Sequence, residues 1–334
     1  MKTGLISLSL FVLLGGGSSC PAQPVPKTLP PLPKAVSSLG AVSSGGYLYV
    51  YGGHAGKTHS YDVESVLGTF HRLKLEGDPK WEELPSGPIL QGMNLATHGG
   101  KVYRIGGMQP RNKPLEAADN HSVAECALFD PGTKEWAPLP SLPAARSSHD
   151  VVMAGDKLVV VGGWKLEGYG REPIWAESTL VLDLSEKKPE WKSIPQPFQR
   201  RALTAAAIGQ KVYVVGGLTD SGPDKRVDIL DIGTGKWTTG PKLPGAERVA
   251  FSPAAAVVNG RLVVNTSDGR IFRLNDAGAN WEKVGQARDK RMVGRIVPLH
   301  NSSVLLVGGA GKGGNLGLIE VVPLAANGEP VSTD

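Results

Sequence analysis

Lys157-Leu158-Val159-Val160-Val161-Gly162-Gly163 is an apolar strand that runs into a pair of glycines, and it is one of a series. The same pattern stands at 47–53 (ending Gly52-Gly53), 101–107 (Gly106-Gly107), 211–217 (Gly216-Gly217) and 303–309 (Gly308-Gly309). A degenerate copy, Arg261-Leu262-Val263-Val264-Asn265-Thr266-Ser267, fills the remaining interval, which makes six copies. A second landmark follows each of the first five. Trp81, Trp136, Trp191, Trp237 and Trp281 each open a short strand, often followed by Leu-Pro or Ile-Pro, as in Trp136-Ala137-Pro138-Leu139-Pro140.

Another strand lies between each glycine pair and its tryptophan, for example 180–184, and a small-residue strand such as 203–208 precedes the glycine-pair strand. Each unit is therefore four strands in about fifty residues, the period of a propeller blade. One blade cannot cover both of its faces, so blades stack around an axis, and crowding at that axis favours Ala, Gly and Ser. The glycine pairs are read as points of close approach or positive φ, and the tryptophans as packing between blades. The sequence predicts an all-β, six-bladed β-propeller. The last repeat lacks a tryptophan strand, whereas 28–33 (Thr-Leu-Pro-Pro-Leu-Pro) resembles the stretch after each tryptophan. That segment is expected to supply the outer strand of blade 6 and close the ring.

Met1-Lys2, the apolar stretch 5–14 and the small residues Gly15 to Ser19 have the layout of a secretory signal, too short to span a bilayer comfortably. The expected organisation is a signal at 1–20, a propeller at 24–325 and a flexible tail at 326–334. Cys20 resembles the lipid-modified cysteine of bacterial lipoproteins, although Gly17 stands where that pattern prefers Leu. The alternative is simple cleavage nearby, for example after Ala22. An exported protein follows, in the periplasm, on the outer membrane as a lipoprotein, or secreted. A lipid on Cys20 is the one membrane contact expected. The other cysteine, Cys126, lies in an apolar run and reads as a buried thiol; two cysteines exclude a disulfide-stapled fold. The net charge of +5 is scattered without a basic run, so nucleic acid is not an expected partner.

The glycine pair after an apolar strand, with a tryptophan further on, resembles the kelch family across roughly 24–325. Blade 5 departs from the pattern in lacking its glycine pair, and blade 6 in lacking its tryptophan. The resemblance implies a propeller whose ligands meet loops at one face, and in some kelch proteins arginines before the innermost strands line that pocket. Here Lys34, Gln91, Arg146, Arg200 with Arg201, Arg248 and Arg291 precede those strands. In common register they would ring the channel mouth and suit carboxylate, sulfate or phosphate. The other reading is that each arginine caps its own turn or pairs locally. After the glycine pairs, the blade 3 loop is the most aromatic, with Trp164, Tyr169 and Trp175, while blade 1 offers His54 and His59. Exposed aromatics beside charge commonly anchor a sugar or peptide; the alternative is that they cover the blade edge.

No paired histidine spacing signals a metal, and Gly311-Lys312-Gly313-Gly314 lacks the helix that a phosphate loop requires. No cofactor is expected. The favoured reading is an exported binding module for a protein, peptide or acidic glycan at the cell envelope. The alternative is a sugar-active enzyme similar to bacterial N-acetylneuraminate epimerases, which would need an acid-base pair beside a carboxylate-binding arginine. A copper oxidase similar to galactose oxidase would need a tyrosine-cysteine crosslink, and it fits poorly with Cys126 in a blade strand.

Overall fold

The computed structural model describes residues 29–326. The signal, Cys20, residues 24–28 and residues 327–334 of the tail lie outside the described residues. Six antiparallel sheets follow one another along the chain as blades. Blade 1 contains Gly40–Ser44, Tyr47–His54, Val66–Lys74 and Trp81–Leu84, and blades 2 to 5 repeat this four-stranded order. Second strands are apolar on both faces because a neighbouring blade covers each face. In Lys157–Val161 every residue after the lysine is buried. Innermost strands such as Thr204–Ile208 are built from small residues and touch one another in cyclic order.

A repeated hydrogen bond joins each blade to the next. The second glycine of a pair donates its N–H to the carbonyl of the residue that leads into the following blade. Gly53 donates to Leu90 (2.8 Å), Gly107 to Arg146 (2.9 Å), Gly163 to Arg200 (2.8 Å), Gly217 to Ala250 (2.8 Å) and Gly309 to Val36 (2.9 Å). The first glycine of the pair lies against that same carbonyl. A Cβ on Gly106 would stand 2.6 Å from the Arg146 oxygen, and its φ is +56°. Both expectations for the pair, close approach and positive φ, hold at this position. Blade 5 has no pair because its chain turns back at once: Gly269 N–H donates to Thr266, and Thr266 Oγ1 caps the turn by donating to Asp268 (2.7 Å).

The tryptophans form a second set of joints at the outer edge. Trp81, Trp136, Trp191, Trp237 and Trp281 donate their indole N–H to the carbonyls of Pro31, Pro85, Pro140, Pro195 and Pro241, at 2.7–2.9 Å. Each acceptor proline belongs to the preceding blade, and Pro31 takes this role for blade 6. The N-terminal segment therefore closes the ring, with Leu32 N–H donating to Gly317 (2.7 Å). One expectation needs correction. Residues 29–33 are not the outer strand: among the described residues blade 6 has three strands, Arg295–Leu299, Ser303–Val307 and Ile319–Pro323. Pro30, Pro31 and Pro33 have no N–H to give, so this stretch cannot run a ladder.

Two tiers of polar contacts close the axis. In the upper tier, Ser38, Gly92, Ser148, Ala202, Ser252 and Val293 all adopt positive φ, between 48° and 63°. Each N–H donates to the counterpart in the preceding blade: Gly92 to Ser38, Ser148 to Gly92, Ala202 to Ser148, Ser252 to Ala202, and Ser38 to Val293. Val293 completes the circle by donating to Ser252 Oγ at 3.1 Å. In the lower tier, Asp150 accepts from Asn94 Nδ2 (3.0 Å), Thr204 Oγ1 (3.1 Å) and Ala205 N–H (2.8 Å). Arg295 of blade 6 reaches Leu39 O (2.8 Å) of blade 1 and Met93 O (2.6 Å) of blade 2, and approaches Asp150 of blade 3 at 3.8 Å. A side chain that meets half the ring lies across its axis, so the channel is filled here.

His149 sits between the tiers at a position where other blades carry Leu39, Met93 or Leu203. It is 2% exposed, and its Nε2 lies 3.1 Å from Ile105 O. Burial, with a further push from Arg146, lowers its pKa from 6.5 to about 3. Above pH 6.5 the ring is neutral in both folded and unfolded chains. Between 6.5 and 3 the unfolded chain takes a proton that the folded one refuses, so this group's contribution is lost as pH falls. Denaturant titrations should show wild type losing up to about 1.4 kcal/mol per pH unit more than His149→Leu below pH 6.5. Equal pH slopes for the two proteins would contradict the assignment.

Candidate functional site: a bowl above the upper ring

Three successive residues before each innermost strand have three different destinations. The first position holds Val36, Leu90, Arg146, Arg200, Ala250 and Arg291, the second Ser37, Gln91, Ser147, Arg201, Phe251 and Met292, and the third the upper ring. Extended backbone sends neighbours to opposite sides. First-position side chains turn into their own blade, and Gln91, Arg201, Phe251 and Met292 of the second position face a bowl whose floor is the upper ring.

The three first-position arginines are structural. Arg146 Nη1 donates to Ser178 O (2.8 Å), close behind its blade's first glycine. Arg200 donates to Gly216 O (3.0 Å) and Arg226 O (3.1 Å) and pairs with Asp228. Arg291 donates to Gly308 O (3.2 Å) and pairs with Glu320 at 2.6 Å. A ring of arginines is therefore not assembled at the mouth. Lys34 does not line the bowl either. Arg248 does, although it stands outside the common register: Ala250 occupies the first position because a 3₁₀ turn, Glu247–Ala250, precedes blade 5.

The bowl encloses about 830 Å³. Its polar lining includes Gln91, Asn120, His59, Tyr61, Arg201 and Arg248, and none of its lining residues is Asp or Glu. Its apolar surface comes chiefly from Met108, Leu166, Leu218, Phe251, Met292 and Val293. Arg201 is the dominant polar feature. Its guanidinium lies 4.0 Å over the Trp164 ring and makes no ion pair or side-chain hydrogen bond among the described residues. Burial lowers its pKa, opposed by nearby Tyr61. A cation stacked on an indole with no counter-ion is prepared for an anion.

One wall is taller than the rest. The blade 2 hairpin (Met108–Pro110 and Asn120–Ser122) and the blade 3 hairpin (Trp164–Lys165 and Ile174–Trp175) join edge to edge through Ser122 N–H to Leu166 O (3.0 Å) and Gly168 N–H to Asn120 O (3.0 Å). Trp164 faces the bowl from this wall, and Trp175 backs it at 5.6 Å between ring centroids. Tyr169 stands on the rim, 72% exposed, outside the lining. His54 is buried, lies 2.9 Å from Ser60 O and meets Tyr61 edge-on at 4.8 Å. It supports the loop that carries His59 and Tyr61 into the bowl. Tyr61, Phe251 and Met292 were not singled out from sequence. Phe251 and Met292 follow the lead-in position by one residue, and that alternation is the signal that identifies them. Cys126 is buried in Cys126–Asp130, where burial pushes its thiol up to about 11.

The KLHDC2/KLHL20/DRC7 Kelch-repeats domain matches residues 92–309. This chain belongs to the kelch-repeat family. Among curated relatives, mouse Kelch-like protein 35 is 24% identical over 59% of this chain and 29% of its own length. Human Kelch repeat and BTB domain-containing protein 12 is 25% identical over 70% of this chain and 39% of its own length. The N-(sulfonatooxy)prop-2-enimidothioate sulfolyase of Thlaspi arvense is 27% identical over 67% of this chain and 68% of its own length. The kelch propeller thus spans less than half the length of those two animal relatives. The solved structure of YjhT superposes with a TM-score of 0.72 at 17% identity, over 90% of this chain and 98% of that one, a likeness of fold.

Adjacent Arg200 and Arg201 should separate cleanly on mutation. Arg200→Ala strands Asp228, 2% exposed, with only Arg226 at 3.4 Å, and should cost about 3 kcal/mol in urea unfolding. Arg201→Ala should cost less than about 1 kcal/mol, as expected for loss of a stacking contact. Similar losses at both positions would refute the division of roles.

Proposed function

We propose that this kelch propeller is an exported binding module whose bowl receives a ligand through an anionic group seated at Arg201 and Arg248. The unpaired guanidinium stacked on Trp164, in a bowl without acidic side chains, carries the reading. A kelch propeller is a binding module in the general sense, and the ligand classes in view are a protein, a peptide or an acidic carbohydrate. One relative is named for a substrate with a sulfonatooxy group, an anion, which agrees with the charge of the bowl. The signal-like stretch at 1–20 supports export to the cell envelope, and in this reading Cys20 carries the lipid anchor. The epimerase-type reading requires a carboxylate or other base beside the anion-binding arginine. With no Asp or Glu in the lining, the titratable groups on offer are His59 and Tyr61, and no observation favours that reading over binding.

A thermal-shift screen of residues 21–334 against sialic acid, uronic acids, sulfated sugars, acidic peptides and neutral sugars tests the proposal. Anionic ligands should raise the melting temperature by mass action, and the shift should vanish in Arg201→Ala and persist in Arg146→Lys. Neutral sugars that match the anions, or anion shifts that survive Arg201→Ala, would remove the bowl from consideration.

A further inference from the structure

The bowl's apolar surface says more about its ligand than its charge does. A sugar acid presents a hydroxyl on nearly every carbon, and each one moved out of water without a partner is costly. A site for such a ligand is dense in amides, carboxylates and hydroxyls. Here the side-chain amides are Gln91 and Asn120, the hydroxyls are those of Tyr61, Ser267 and the ring serines Ser38 and Ser148, and carboxylates are absent from the lining. Around Arg201 and Arg248 the surface adds thioethers, a phenyl ring and aliphatic groups, with Leu218 bridged to Arg201 itself and Phe251 three residues from Arg248. Met108 and Met292 are unbranched and polarizable, which lets them fit apolar bodies of varied shape. Met292 is 41% exposed, an apolar side chain left open to solvent beside Phe251.

Resting on the anion-binding reading above, we propose that the bowl selects a small amphiphilic anion rather than a sugar acid. The head group, a sulfate, sulfonate or carboxylate, meets Arg201 and Arg248. The body lies on Met108, Leu218, Phe251, Met292 and Val293. Cationic groups set among apolar side chains, in a cavity of about 830 Å³ closed at its floor by the upper ring, fit one compact molecule carrying both features.

The test crosses charge with apolar length by isothermal titration of residues 21–334, using butyl sulfate, hexyl sulfate, hexyl glucoside, hexyltrimethylammonium and glucuronate, all below micellar concentrations. Hexyl sulfate should bind most tightly, roughly tenfold tighter than butyl sulfate for its two added methylenes. Arg201→Gln should weaken hexyl sulfate at least about tenfold and leave hexyl glucoside unchanged. Phe251→Ser should flatten the chain-length dependence; Met292→Ser, at a half-open position, tests the same point should Phe251→Ser fold poorly. Glucuronate that binds as tightly as hexyl sulfate, with the same dependence on Arg201, would overturn the amphiphile inference and leave the anion site standing. Butyl and hexyl sulfate binding alike would overturn it too. If none of the anions binds, both readings fall together.

Discussion

The carbonyl of each lead-in residue is the point on which the propeller turns. It accepts the N–H of the second glycine in the neighbouring blade and leaves no room for a Cβ on the first. A strand that must end against the neighbouring blade's carbonyl cannot carry a side chain there, so glycine recurs wherever blades are latched in this way. Blade 5 supplies the counterexample. Its chain reverses at Thr266–Gly269 before reaching that geometry, and the glycine pair is absent. Once the latches fix the angular spacing of the blades, the six residues that follow are brought close enough to bond into a ring.

The fold was legible because its main constraints recur at successive joints between blades, and the glycine pair and the tryptophan each leave their mark five times. Gly106-Gly107 and Trp136 read the same way in the sequence as in the structure. Closure at the seam was half legible. Leu29 to Pro33 does complete the ring, but through the Pro31 carbonyl and the Leu32 N–H and not as a strand, since prolines cannot donate to a ladder. The site was harder to read because it depends on single-residue register. Arg146, Arg200 and Arg291 share a position and turn inward, where backbone carbonyls and acidic partners absorb their charge. Arg201, one residue on, faces the bowl. Arg248 faces it as well, from a 3₁₀ turn that no pattern of strands would have placed. Charge content alone could not separate these arginines, whereas alternation counted from the latch does.

Scaffold and site are thus interleaved along the same few residues. In Arg200-Arg201-Ala202 one side chain anchors its blade, the next meets the ligand space, and the third residue gives its backbone to the ring. The unequal loops then give the bowl its character: tall fused hairpins on blades 2 and 3 bring Trp164 beneath Arg201, and the tight turn of blade 5 leaves Phe251 and Arg248 uncovered. A six-fold frame carries a site with no symmetry of its own.

Arg295 has a consequence for traffic. Because its guanidinium bridges blades 1, 2 and 3 beneath the upper ring, the central channel is no passage from one face of the disc to the other. Whatever enters the bowl must leave by the same opening. The propeller is a cup and not a conduit, so a molecule seated in the bowl meets solvent through one face alone.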